Sequence, residues 1–266
     1  MSTDHKMHFG LHKHRSHDEG EQHLLHPRRG LIFGVSLKTY KTVHETLDFV
    51  NGLGPVFEFC HKHGIQFFVV PDMVSLGRVP SPLPHGAILA AQDCYFEDHG
   101  AYTGTVSPAN LAEIGVKMVE VGHAEQRRLF GETDEIVVKK SVAAARHGMT
   151  PLVCVGEPKR CDTKEAAKHC IQQIEPVTDR LPADKPVVVA YEPVWAIGQP
   201  KPAEPEYVID VVKHIKHRFG DRIRVIYGGS AGPGLFRKLS STVDGLFLGR
   251  FGHDVDKVLD VVKEAL

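Results

Sequence analysis

Val187-Val188-Val189-Ala190-Tyr191-Glu192-Pro193-Val194-Trp195-Ala196-Ile197-Gly198 decides how the rest of the chain is read. Three valines and an alanine in succession suit a strand buried on both faces, which has no solvent side to carry polar residues. The run delivers one carboxylate, Glu192, to the strand's end. Pro193 fixes its own φ, and with Trp195 it makes a stiff shoulder from which Ala196 to Lys201 can swing as a lid. A carboxylate base needs that pairing of firm placement and a water-excluding cover. Taken alone, the same residues also describe a strand end with a capping acid, so the neighbours must decide.

Outward from this stretch, short apolar runs alternate with helical patterns. The strands read as Leu31–Ser36, Ile65–Val70, Ala87–Ala91, Val116–Val121, Pro151–Val155, Val187–Tyr191, Arg224–Tyr227 and Val243–Leu248. Helical periodicity falls between them at Val43–His63, Asp134–His147, Lys164–Asp179, Glu206–Phe219, Gly232–Leu239 and Val255–Ala265. Eight β-then-α units predict an α/β fold, a single closed (β/α)8 barrel over residues 30–266. A doubly wound open sheet is the rival, but no GxGxxG follows the first strand. A barrel demands that chemistry sit just past the strand C-termini, and the chemically interesting residues fall there.

Lys38 follows the first strand, where its ammonium would enter the barrel mouth; a solvated lysine is the plain alternative. His123 follows the fourth, in Gly122-His123-Ala124-Glu125, at the start of a helical turn. A helix N-terminus favours neutral imidazole over imidazolium, which would make His123 a neutral donor to a carbonyl. Glu125 would orient a cation such as Lys38, or serve simply as a helix-start acid. Tyr227-Gly228-Gly229-Ser230 and Leu248-Gly249-Arg250-Phe251-Gly252 follow the last two strands, and Gly198 lies in the lid. Backbone N–H groups of such turns form anion cups, so Gly198, Ser230 and Gly249 are candidate phosphate contacts.

These motifs together resemble the triosephosphate isomerase family across nearly all of Leu31 to Leu266. Gly100-Ala101-Tyr102-Thr103-Gly104 is similar to that family's protruding interface loop, and Pro151-Leu152-Val153-Cys154-Val155-Gly156-Glu157 to its fifth-strand motif. The resemblance implies that Glu192 is the base, His123 the electrophile and Lys38 the electrostatic anchor; a Glu base beside a neutral His is known from triosephosphate isomerase itself. It implies proton transfer without a cofactor or metal, interconverting glyceraldehyde 3-phosphate and dihydroxyacetone phosphate, as in glycolysis and gluconeogenesis. It further implies a homodimer in which Thr103 reaches the neighbouring subunit's site.

The chain also departs from the family pattern. Ser36 stands where Asn is expected, Ala124 replaces Ser, and Arg250 replaces a second Gly beside the phosphate. The lid reads Gly198-Gln199-Pro200-Lys201-Pro202-Ala203 where Gly-Thr-Gly-Lys-Thr-Ala is expected, and Pro200 and Pro202 restrict its hinge torsions. Gly-Arg after strand eight, with a lid lacking its second Gly, also resembles a paralogue that isomerises erythrulose 1-phosphate. The three-carbon pair stands first and the four-carbon substrate is the alternative, with Arg250 adding a charge-assisted phosphate contact if it points inward. A non-catalytic phosphate-binding barrel is a further alternative, against which Lys38, His123 and Glu192 together argue. A lyase or synthase would need another acid or a metal cluster at the strand ends, and none is read there in the sequence.

Bulk properties agree. The 266 residues are 42% hydrophobic with formal net charge −1, so no global field recruits nucleic acid or an anionic membrane, and any anion site is local. Cys60, Cys94, Cys154, Cys161 and Cys170 are odd in number and lack CxxC spacing, which reads as free thiols in a reducing cytoplasm. Residues 1–29 differ in kind: His5, His8, His12, His14, His17, His23 and His26 lie among mixed charges without periodicity. That composition predicts a disordered tail, neither signal-like nor transit-like. Its imidazoles suit Zn, Cu or Ni, but no spacing fixes a coordination geometry.

Overall fold

The structure is a computed structural model describing residues 30–266; the expected His-rich tail lies outside the described residues. Eight strands form one parallel sheet: β1 Ile32–Ser36, β2 Gln66–Val70, β3 Ile88–Ala91, β4 Met118–Val121, β5 Thr150–Val155, β6 Val188–Tyr191, β7 Arg224–Tyr227 and β8 Phe247–Leu248. They run β7-β6-β5-β4-β3-β2-β1-β8, with β1 paired to both β2 and β8. A parallel bridge between Tyr227 and Leu246 joins the two ends, making the (β/α)8 barrel that the alternation predicts.

Because successive side chains of a strand face opposite ways, each strand feeds two cores. Ile32, Phe68, Ile88, Met118, Leu152 and Ile226 fill the barrel interior, while Phe33, Phe67, Val119, Val153, Val189 and Val225 pack outward against the helices. Interior space is tightly allotted: a Cβ on Gly34 would lie 2.2 Å from the Phe68 ring. By the same alternation Ser36, Glu120, Cys154 and Glu192 fall on the interior side.

Three of the expected elements differ by more than one or two terminal residues. The helix over Val43–His63 is two helices, Val43–Gly52 and Gly54–Lys62, because Pro55 has no N–H to continue the first. The helix expected over Gly232–Leu239 begins only at Leu235. Strand eight shrinks from Val243–Leu248 to two residues. Asp244 and Gly245 instead close the barrel edge irregularly: the Asp244 carboxylate accepts the Val225 amide at 2.7 Å, and Gly245 at φ 153° passes so close to Ile32 that a Cβ would meet its carbonyl oxygen at 1.7 Å. Among the described residues no helix is long and apolar enough to cross a membrane.

Candidate active site

A cavity of about 500 Å³ opens at the C-terminal ends of the strands. Lys38, His123, Glu125, Glu192, Ser36, Gly198, Ser230, Gly249 and Arg250 all line it, so the structure brings together every candidate site residue read from the sequence.

Glu192 is 6% exposed and held by its backbone, whose amide donates to Val155 O at 2.8 Å. The strands on either side give way to it. A Cβ on Gly156 would lie 1.9 Å from Glu192 O, and one on Gly228 would lie 2.4 Å from Oε1. Beyond it, Glu157 gathers the shoulder: it accepts from Trp195 Nε1 at 2.7 Å, from Tyr207 Oη at 3.0 Å and from Tyr191 Oη at 3.2 Å. Trp195 is thus as firmly seated as its place in the shoulder suggests.

His123 caps the helix Ala124–Phe130, its Nδ1 accepting the Glu125 amide at 3.1 Å. Its loop is braced from behind. Glu132 accepts the Gly122 amide at 2.8 Å, Arg127 Nε donates to Gly122 O at 2.8 Å, and Lys140 bridges Glu132 to Asp93. Nε2 faces Glu192 Oε2 at 3.4 Å. Burial alone lowers the imidazole pKa, but the Glu192 and Glu120 carboxylates outweigh it and push it up. The cap pulls the other way, since an imidazolium has no lone pair to accept an amide. We assign the neutral ring with its proton on Nε2, because two donors facing each other at 3.1 Å would forfeit the cap.

Lys38 sits at φ 46°, a conformation that costs a non-glycine residue about 1 kcal/mol or more. Its carbonyl is pinned by Gln92 Nε2 at 2.8 Å and its Nζ reaches Glu125 Oε1 at 2.6 Å, the cation-orienting contact anticipated for Glu125. Burial lowers the Lys38 pKa, yet that pairing outweighs it and the net direction is up. Burial likewise opposes ionisation of Glu125, and Lys38 wins, holding its carboxyl below the usual range.

The β7 and β8 side of the cavity is built differently. Ser230, at φ 50°, turns its Oγ toward the lid carbonyls of Ala196 and Gln199, both at 3.0 Å. At the lid's far end the Ala203 amide donates to Tyr227 Oη at 3.2 Å. Ile197, Gly198, Gln199 and Pro200 are thereby held along one wall of the cavity. Arg250 lines the same wall from the short turn Arg250–His253. Its side chain is exposed and makes no ion pair among the described residues. The Gly100–Gly104 loop is exposed on the surface, with Tyr102 O accepting Thr105 Oγ1 at 2.7 Å.

Two residues here were not singled out from the sequence for what they do. Glu157 is legible only as part of a motif, and Glu120 only as part of an apolar strand, although it lines the cavity. A single acid inside Met-Val-Glu-Val, flanked by fully buried neighbours, was the available signal.

An eight-stranded parallel barrel with an acid, an imidazole and an ammonium gathered at its strand C-termini has the layout of a barrel enzyme. The chain belongs to the triosephosphate isomerase family, whose members are isomerases: residues 31–265 match it. Among curated relatives, the chain is 40% identical to an L-erythrulose-1-phosphate isomerase of Pectobacterium atrosepticum, over 89% of this chain and 96% of that protein. It is 36% identical to an L-erythrulose-1-phosphate isomerase of Rhizobium etli, over 86% and 90%. It is also 36% identical to a triosephosphate isomerase of Geotalea uraniireducens, over 89% and 98%.

Proposed function

We propose that this chain shifts a carbonyl between adjacent carbons of a small sugar phosphate through an enediolate. The convergence of Lys38, His123 and Glu192 on one lid-walled cavity carries the reading. Glu192 takes the proton from the carbon bearing the hydroxyl, and the electron pair moves onto the carbonyl oxygen. That oxygen receives the proton of His123 Nε2, and Lys38 offsets the charge that accumulates. Protonated Glu192 then returns its proton to the neighbouring carbon, while His123 regains one from the other hydroxyl. The carboxylates that raise the ring's basicity favour that recovery. The turns at Gly198, Ser230 and Gly249 hold the phosphate through backbone N–H groups, assisted by Arg250. No step requires a cofactor, because a proton moves and not a hydride.

The three-carbon pair fits this scheme. A four-carbon substrate, L-erythrulose 1-phosphate, is favoured by two observations: relatives of that name are among the most similar to this chain, and Ser36 and Arg250 depart from the three-carbon pattern in the cavity wall. The glycolytic assignment goes with the first substrate and not with the second. A homodimer through the Thr103 loop and a cytoplasmic location complete the proposal. Kinetics of the purified protein on both phosphates, with deuterium uptake from D2O into the product, test it. Turnover with label at the reacting carbon is expected. Absence of turnover on both would overturn it.

A further inference from the structure

Glu120 is a buried acid to which this chemistry gives neither a proton transfer nor a contact with substrate. It lies on the interior face of β4 with Met118, three residues before His123, is 4% exposed, and lines the cavity. Its hydrogen-bond partner is the Cys154 thiol, with Sγ 3.6 Å from Oε1, and a thiol is a weak donor. The nearby cation is committed elsewhere, with Lys38 Nζ on Glu125. A buried carboxyl group without a strong partner is destabilising, and its retention in a substrate cavity points to a ligand that supplies the partner.

The topology says which end of the ligand that is. In the strand order β4 stands opposite β8, so Glu120 lies across the barrel from the turn at Gly249 and Arg250. A substrate whose phosphate rests on the β7 and β8 turns directs its remote end toward β4. L-erythrulose 1-phosphate has the backbone of dihydroxyacetone phosphate plus one hydroxymethyl group on the carbon that loses its proton. That addition is at the end remote from phosphate. Serine at position 36, smaller than the asparagine of the family pattern, leaves room on the interior side of β1.

We propose that Glu120 is a specificity-determining residue, its carboxyl hydrogen-bonding the remote hydroxymethyl group of a four-carbon ketose phosphate. The proposal rests on the isomerase reading above. Burial, enhanced by the Glu192 carboxylate, pushes the Glu120 pKa up to about 7. Both its forms are therefore accessible near neutrality, and a hydroxyl satisfies either one, as donor to the carboxylate or acceptor from the acid.

The test compares kcat/KM for L-erythrulose 1-phosphate and dihydroxyacetone phosphate in wild type, Glu120→Val and Glu120→Gln. Glu120→Val is expected to lose about 10- to 100-fold more on the four-carbon substrate than on the three-carbon one, and Glu120→Gln, which still hydrogen-bonds, to recover most of that difference. Wild type is also measured with 4-deoxy-L-erythrulose 1-phosphate, for which kcat/KM should fall by a similar factor; this arm needs no variant to fold. Equal losses on both substrates would make Glu120 a tuner of His123 and Glu192 and overturn the proposal. So would a deoxy analogue that performs as well as the parent, or a wild type that turns over only the three-carbon substrate. Wild type inactive on both phosphates would remove the isomerase reading itself, and this inference with it.

Discussion

At the ends of β1, β4 and β6 the cavity is faced by side chains, Lys38, His123 and Glu192, each with its own brace: Gln92 and Glu125 for the first, Gly122 and Glu132 behind the second, Val155 and flanking glycines for the third. At the ends of β7 and β8 it is faced by turns, Gly228 to Ser230 and Gly249 to Arg250, where the direction of the backbone matters and, at Gly228 and Gly229, the room a missing Cβ leaves. One half of the rim is specified by which residue stands there, the other by how little stands there. The halves meet at Gly228, whose lack of a side chain makes space for the Glu192 carboxylate. The backbone half therefore sets the position of the side-chain half's carboxylate.

The largest test of that division is Glu192→Asp. Drawing the carboxylate back about 1 Å spoils the attack geometry, and kcat should fall about 100-fold or more; near-normal turnover would remove Glu192 as base. Gly228→Ala tests the seam. Its methyl would intrude on Oε1, so kcat should fall by roughly 30-fold through displacement of the base, although no reacting group has changed. If only KM moved, the halves would be independent.

A third measurement asks whether the side-chain half is held against its own electrostatics. The Glu120 pKa stands near 7 against an ordinary carboxylate value of 4.5. The folded state thus binds this proton more tightly than the unfolded chain does, and stability from this group is present below pH 4.5 and lost as pH rises toward 7. Glu120→Gln, which does not titrate, should gain on wild type between pH 5 and pH 8 by on the order of 2–3 kcal/mol in urea unfolding. Parallel pH profiles would show the carboxyl to be solvated.

On the turn-built half, Arg250→Gly restores the glycine of the family pattern. It should weaken inhibition by inorganic phosphate about 10-fold, the effect of losing one charge-assisted contact; an unchanged inhibition constant would mean that backbone alone holds the anion. The smallest effect belongs to a region outside both halves. Deleting residues 1–26 should leave turnover and Tm nearly as they are, and a large drop in either would make the segment part of the barrel.

The side-chain half was largely legible in the sequence because both of its signals are local. A strand buried on two faces announces itself as an apolar run, and an ionisable residue just past it stands out, as Lys38, His123 and Glu192 do. The same rule hid Glu120, one acid within such a run, whose meaning depends on which face it takes and on what lies across the barrel. The turn-built half was legible only as clustered glycines: that Gly228 yields space to Glu192 is a contact between strands, invisible in spacing. The closing strand was overextended because Val243 and Leu246 are as apolar as strand residues, while Asp244 and Gly245 between them bend the edge.

The Ser230 hydroxyl has one proton and two lid carbonyls, Ala196 O and Gln199 O, within 3.0 Å. It can serve only one of them at a time, and Pro200, next along the lid, has no amide with which to add a second fastening. One side chain after β7 thus answers to both Ala196 and Gln199, so Ser230 joins the lid to the turn-built half of the rim at a single point.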